Sequence, residues 1–204
     1  APTLDLDFQK NREEDPMKVF QIQDDWSMEH LKIAERDQPE TAPGEVLLRM
    51  KAASINYRDL AIPLRGYGSF TGTLPLVPIS DGVGEVVEIG AGVTRVTPGD
   101  RACPMFMQKW IAGEPDLNRI TSTLGGPMDG VMQEYMVVNE EGLAKAPEYL
   151  TDEEAATLPC AALTAWSALV TEGDVKAGDT VLVQGTGGVS LFALQFAKLL
   201  GAKV

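Results

Sequence analysis

The chain has 204 residues, 44% hydrophobic and 23% charged, which supports a packed core and excludes a disordered tail or a small disulfide scaffold. With 17 Lys and Arg against 30 Asp and Glu, the net charge of −13 opposes nucleic acid and anionic membranes as partners. Small anionic ligands stay open, because backbone N–H groups can hold them, and two cysteines without a C-x-x-C pair (Cys103, Cys160) fit a reducing, cytoplasmic setting.

Residues 1–16 are polar and without period and read as a loosely held extension, with no basic and apolar leader. No apolar run approaches the roughly 18 residues that span a bilayer, so no membrane is expected. From Met17 to about Val138 short β segments alternate with turns, as in Val46–Met50 after Ala42-Pro43-Gly44-Glu45. In DGVGEVVEIGAGV, Gly82, Gly84, Gly90 and Gly92 bracket a Val-rich strand and let backbones approach or turn. VTPGDRAC predicts a turn feeding another strand. The stretch 103–130 has no period and reads as a functional or partly mobile loop, and Gln133–Val138 closes the β-rich part.

Composition changes after Pro147. Thr151 and Glu154 in TDEE form a capping-box signature for a helix that Pro159 interrupts, and a second helical stretch runs from about Leu163 to Val170. Next come a buried strand at Thr180–Gln184, a glycine loop, a helix and the start of another strand, the opening of a βαβ unit. That helix places Val189, Phe192, Ala193, Phe196, Leu199 and Leu200 on one face, with Gly201 at its C-terminal cap. A doubly wound nucleotide-binding sheet needs about six strands. The sequence thus reads as a truncated α/β protein with a β-rich part: the extension 1–16, a β domain over 17–147 and the incomplete start of a Rossmann domain over 148–204.

Gly185, Thr186, Gly187, Gly188, Val189 and Ser190 follow a predicted strand and open a helix, the context in which G-x-G-x-x-G/A binds a dinucleotide. Gly185 permits the tight turn, Gly187 admits the pyrophosphate, and the Gly188 and Val189 N–H groups face the anion. A glycine-rich turn in an ordinary αβ domain is the alternative. No Lys-Ser/Thr follows, which argues against a P-loop.

Five segments in order, AASINYRDL (52–60), PLVPISDGVGEVVEIGAGV (75–93), GDRAC (99–103), LPCAALTAWSAL (158–169) and VLVQGTGGV (181–189), resemble the medium-chain dehydrogenase/reductase superfamily. The nearest branch is the zinc-free one, close to quinone oxidoreductases and zinc-type alcohol dehydrogenase-like proteins. The resemblance covers Met17 to Val204 and implies a GroES-like β domain beside a Rossmann domain, with the active site in the cleft between them. In zinc-dependent members the positions of Asn56 and Ser80 carry Cys and His ligands, that of Asp81 an acidic residue, and Cys160 is a third ligand. Asn and Ser replace thiolate and imidazole poorly, so the metal is expected to be absent. Of the four closely spaced cysteines that hold the family's structural zinc, only Cys103 falls in 103–130.

Without a Lewis acid, alcohol oxidation gives way to hydride delivery to an enone, a quinone or a related carbonyl-conjugated small molecule. The resemblance implies NADP, with NAD as the alternative; the residue that selects between them lies about 20 residues after Gly185, beyond Val204. It also implies a homodimer for the intact protein. Asn56 and Thr164 would border the nicotinamide, and Tyr67 matches a tyrosine proposed as proton donor in enoyl-thioester reductases, with a loop aromatic covering the cleft as the alternative. Asp81 would orient a cleft residue. Arg58 and Asp59 read as a local ion pair, Cys160 as a packed core thiol and His30 as a surface residue, while Met105, Met107 and Trp110 would line an apolar substrate pocket or fill gaps. Two rival readings are a non-catalytic partner-binding module and a zinc alcohol dehydrogenase with unusual ligands.

Overall fold

The computed structural model describes residues 16–204, so the extension read over 1–16 lies outside the described residues apart from Pro16. Strands β1 (Met17–Ile22) and β2 (Leu31–Arg36) form an antiparallel ribbon. After β3 (Glu45–Ser54) and the short helix α1 (Tyr57–Ala61) come β4 (Asp81–Ile89), β5 (Arg101–Pro104), helix α2 (Leu117–Ile120), β6 (Tyr135–Asn139) and β7 (Leu143–Lys145). The last five strands make one antiparallel sheet in the order β6-β3-β4-β5-β7. This is the expected β-rich half.

The core arises from the period of two along the strands. Val46 and Leu48 of β3 pack with Val86, Met136 and Val138, while Leu47 is as deeply buried on the other face. Truncating a side chain such as Leu48 to Ala costs about 2–5 kcal/mol. Gly90 is required at the end of β4, because a Cβ there would run into the Ala42 carbonyl oxygen.

The β3–β4 register positions the site. Ser54, the last residue of β3, lies opposite Asp81, the first of β4, so Asn56 and Ser80 emerge at the same end of the strand pair. Ile79, just before them, has φ +68, a left-handed conformation that strains a β-branched residue.

Stretch 103–130 holds more local structure than its missing hydrophobic period suggests. Asp116 caps α2 by accepting from the Arg119 N–H at 2.9 Å, and bridges join Met107 to Thr123 and Leu124 to Met128. Side-chain caps and tight turns leave no periodic trace in the sequence.

The capping box at Thr151 forms as predicted, and helix α3 (Asp152–Ala156) presses Ala155 and Ala156 against Val83 and Cys103. Pro159 does not interrupt the helical course of the chain. It sits in the first turn of a π-helical segment, Leu158–Ala162, where its missing N–H costs nothing, and the chain continues through α4 (Leu163–Trp166) into a second wide segment, Ser167–Glu172.

The predicted buried strand at Thr180–Gln184 is replaced by a single parallel bridge, Thr180 to Lys203, and Leu182 is 83% exposed. A strand needs a ladder of partners, and Lys203 supplies one rung. Helix α5 (Gly188–Leu199) buries Ala197 fully and Phe192, Ala193, Phe196 and Leu200 in part, but Val189 and Leu199 of the predicted stripe are exposed. Only the centre of the stripe meets α4, where Phe196 stands edge-on to Trp166 with ring centroids 5.5 Å apart. Gly201, at φ +81, ends α5 with bonds from its N–H to Lys198 O and from the Ala202 N–H to Ala197 O, the expected cap. No helix among the described residues is long and apolar enough to cross a membrane.

Candidate active site

At the end of the β3–β4 pair a buried polar cluster forms. Asp81 is 1% exposed, and its two carboxylate oxygens are used separately: Oδ1 accepts from the Ser80 hydroxyl at 2.7 Å and Oδ2 from the Cys160 backbone N–H at 2.9 Å. Burial raises its pKa, opposed by the bonds from Ser80 and Cys160 and by the nearby Asn56 amide. The Asn56 Nδ2 nevertheless makes no bond of full geometry and is buried without a partner among the described residues. The amide thus leans on Asp81 without completing a hydrogen bond.

Arg58 and Asp59 form the predicted local ion pair at its outer limit, with their nearest charged atoms 4.0 Å apart. Each is buried and has stronger partners, because α1 points them in different directions. Asp59 Oδ2 accepts from the Asn56 N–H at 2.7 Å, and Arg58 donates to Leu124 O and Gly126 O at 2.9 and 3.0 Å. Burial also raises the Asp59 pKa, against the Asn56 N–H and the Arg58 charge. His30 is half-buried in a turn before β2, with Nδ1 unpaired among the described residues, rather than on the surface.

Above this cluster lies a cleft of about 950 Å³. It brings Asn56, Tyr67, Cys160 and Thr164 together with Gly187, Gly188 and Val189 at the start of α5. Asp81 forms no part of its wall and acts from beneath, through Cys160. Gly185 and Thr186 also stand outside the wall; Gly185, at φ +80, makes the turn that delivers the helix. A Cβ on Gly187, the N-cap of α5, would meet nothing within 4 Å, whereas one on Gly188 would approach the Ala161 Cβ to 3.2 Å. The open backbone at Gly187 and the unpaired N–H groups of the first helical turn fit a pyrophosphate. Ser190, where the motif expects a small residue, ties the loop by donating to Gln184 O at 2.6 Å.

A second chamber of about 770 Å³ shares Phe106, Cys160 and Thr164 with the cleft. Met105, Met107 and Trp110 line it, as a substrate pocket requires, and Ile111 and Leu163 add apolar surface. Cys160 is a wall of both spaces, not a packed core thiol, because the π-helical segment turns it outward. Burial and then the Asp81 charge push its thiol up to about 11. Sequence reasoning missed Phe106 and the inward course of Arg58; no period or spacing marks either.

The donors at the family's zinc positions do not fit that ion. The Ser80 hydroxyl donates to Asp81 and Asn56 offers an amide, which leaves the Cys160 thiol as one soft donor where zinc needs about three protein ligands. Among the described residues no three His, Cys, Asp or Glu side chains cluster as a metal site.

Residues 42–148 match the family model described as the alcohol dehydrogenase GroES-like domain. A zinc-type alcohol dehydrogenase-like protein of Schizosaccharomyces pombe is 46% identical over 179 residues, which cover 86% of this chain and 51% of that protein. Acryloyl-coenzyme A reductase of Metallosphaera sedula is 33% identical over 180 residues, 85% of this chain and 53% of that one. A crystal structure of an NAD-dependent alcohol dehydrogenase superposes with a TM-score of 0.80 at 36% identity, covering 91% of this chain and 56% of its own. The chain spans about half the length of the curated relatives it matches. It belongs to the alcohol dehydrogenase GroES-like domain family, within the medium-chain dehydrogenase/reductase superfamily.

Proposed function

We propose that this chain supplies the substrate-binding half and the pyrophosphate-binding turn of a zinc-independent, nicotinamide-dependent reductase acting on activated alkenes or quinones. The observation that carries the reading is the single cleft in which Asn56, Tyr67 and Thr164 face the N-terminus of α5, above a family metal position where Ser80 is engaged by Asp81 and Asn56 offers only an amide. Support for alkene reduction comes from the similarity to an acryloyl-coenzyme A reductase, and support for a nicotinamide cofactor from the similarity to an NAD-dependent alcohol dehydrogenase.

When bound, reduced nicotinamide supplies the hydride. The first-turn N–H groups of α5 would hold the pyrophosphate, and Asn56 and Thr164, in the wall of the same cleft, would orient the ring. Met105, Met107 and Trp110 take the apolar part of the substrate and exclude water. With hydride supplied to the β-carbon of an enone, the Tyr67 hydroxyl would give its proton to the α-carbon and regain one from solvent at the mouth of the cleft.

The test monitors NADPH and NADH oxidation by the protein with a 2-enone, an acryloyl thioester, a quinone and, in reverse, primary alcohols, each with and without chelator. Alkene or quinone reduction that survives chelation is expected. Alcohol oxidation that is lost on chelation and restored by zinc would overturn the proposal.

A further inference from the structure

Arg58 is 7% exposed; its hydrogen bonds go to two backbone carbonyls, and the Asp59 carboxylate stands 4.0 Å from it. Burying a guanidinium is costly, and here two of its five N–H groups pin the carbonyls of Leu124 and Gly126. Its faces are used as well. Cζ lies 4.8 Å from the centroid of the Phe106 ring and 5.5 Å from that of Tyr67.

These contacts join α1 and the nearby turn bearing Tyr67 to the stretch from Phe106 to Gly126, which is distant in sequence. Tyr67 itself caps the 3₁₀ turn Gly68–Phe70 without a side-chain hydrogen bond. Its ring, on a residue that is 46% exposed, rests against the Arg58 guanidinium. Behind the wall a small cavity of about 170 Å³, lined by Arg58, Tyr67, Phe70 and Phe106, gives Tyr67 room to swing inward if the guanidinium is removed.

We propose that Arg58 is a positioning residue that holds Tyr67 and Phe106 as one rigid wall between the cleft and the small cavity behind it, so that the Tyr67 hydroxyl meets the α-carbon of a bound enone. This rests on the reading of Tyr67 as proton donor. Arg58 acts through Tyr67 and touches no reacting atom. Lysine keeps the charge but loses the planar fork and the stacking face, so Arg58→Lys should loosen the wall while leaving a cation in place.

The experiment compares Arg58→Lys, Tyr67→Phe and the double variant in the full protein, with nucleotide affinity measured by fluorescence titration. Arg58→Lys is expected to lower kcat for an enone about tenfold, with KM and nucleotide affinity changed less than about threefold. On the Tyr67→Phe background the same substitution should lower kcat less than about twofold, because the group it positions is gone. Equal factors on both backgrounds overturn the proposal. A readout without turnover separates this from failure of the reductase reading: tetranitromethane nitration of Tyr67, read by peptide mass against Tyr57 and Tyr149. Arg58→Lys should change the Tyr67 rate and leave the other two unchanged, and an unchanged Tyr67 rate overturns the proposal whether or not the protein reduces alkenes. If Arg58→Lys does not fold, Phe106→Leu removes one stacking partner while keeping both carbonyl bonds, and the same non-additivity with Tyr67→Phe is expected; additive losses overturn the proposal there too.

Discussion

Asp81 and Cys160, 79 positions apart in sequence, are joined by a 2.9 Å hydrogen bond from the Cys160 N–H to Asp81 Oδ2. The bond ties the first residue of β4 to the π-helical segment that walls the cleft. Its other oxygen, engaged by Ser80, fixes the carboxylate plane, so the β sheet sets the position of Cys160 and, one turn on, of Thr164.

This buried carboxylate gives stability a pH dependence of known sign. Burial raises the Asp81 pKa, so the folded state binds its proton at a higher pH than the unfolded chain does. The resulting stability is full below the unfolded pKa and is lost as pH rises through the folded one. Denaturant unfolding of the wild type and Asp81→Asn should therefore show the difference moving in favour of the wild type as pH falls from neutrality into the ordinary carboxylate range. A difference that is flat with pH would remove Asp81 as the source.

The cysteines should be unreactive at neutral pH. Burial, then the Asp81 charge, pushes both thiols to about 11, although Cys160 faces a cleft and Cys103 is packed inside. Native iodoacetamide labelling at about pH 7.5 should be slow at both, with Cys160 accelerating as pH rises and Cys103 labelled only on unfolding. Rapid labelling of Cys160 at neutral pH would contradict the neutral thiol.

The features legible in the sequence and those hidden from it divide along physical lines. Periodic strands such as Val46–Met50, the Thr151 capping box, the Gly201 cap and the glycine turn are local signals, and each stands where its residues predict. The fold at Thr180–Gln184 depends on partners, and the outward face of Cys160 on a π-helical turn that Pro159 begins rather than breaks. Arg58 and Asp59 are adjacent in sequence and invite pairing, yet their hydrogen-bond partners come from Leu124, Gly126 and Asn56. Sequence spacing carries neither the direction of a side chain nor the carbonyls it finds 66 and 68 residues away.

The glycine turn can be tested apart from folding. Because a Cβ on Gly187 meets nothing within 4 Å, Gly187→Val should cost little stability beyond the general penalty of a branched residue at a helix start. Its side chain would, however, fill the space a pyrophosphate needs, so nucleotide affinity should fall at least about tenfold in a fluorescence titration. Unchanged affinity would refute the placement.

Elemental analysis of the purified protein should find well under one zinc per chain. Added zinc should leave nucleotide affinity and thermal stability unchanged, since Ser80 is engaged by Asp81 and Asn56 offers only an amide, which leaves Cys160 as one ligand of the about three that zinc needs. One equivalent of zinc, lost together with activity in Cys160→Ala, would show that the site rearranges to bind metal.

Tyr67 decides between two routes for the proton. Hydride addition to an enone leaves a carbanion-like α-carbon that must be protonated inside the cleft, whereas the oxygens of a reduced quinone exchange freely with water. A positioned general acid contributes about 10²–10⁴-fold, so Tyr67→Phe should lower kcat for an enone by about 10²-fold or more, while nucleotide affinity stays the same. Quinone reduction by the same variant should fall only a few-fold, since solvent protonates that product. The split matters because loss of wall packing would slow both substrates alike: the phenyl ring of the variant keeps its contact with Arg58 and removes only the hydroxyl. Equal and small losses for the two substrates would make Tyr67 a cleft wall and leave orientation by Asn56 and Thr164 as the protein's contribution to rate.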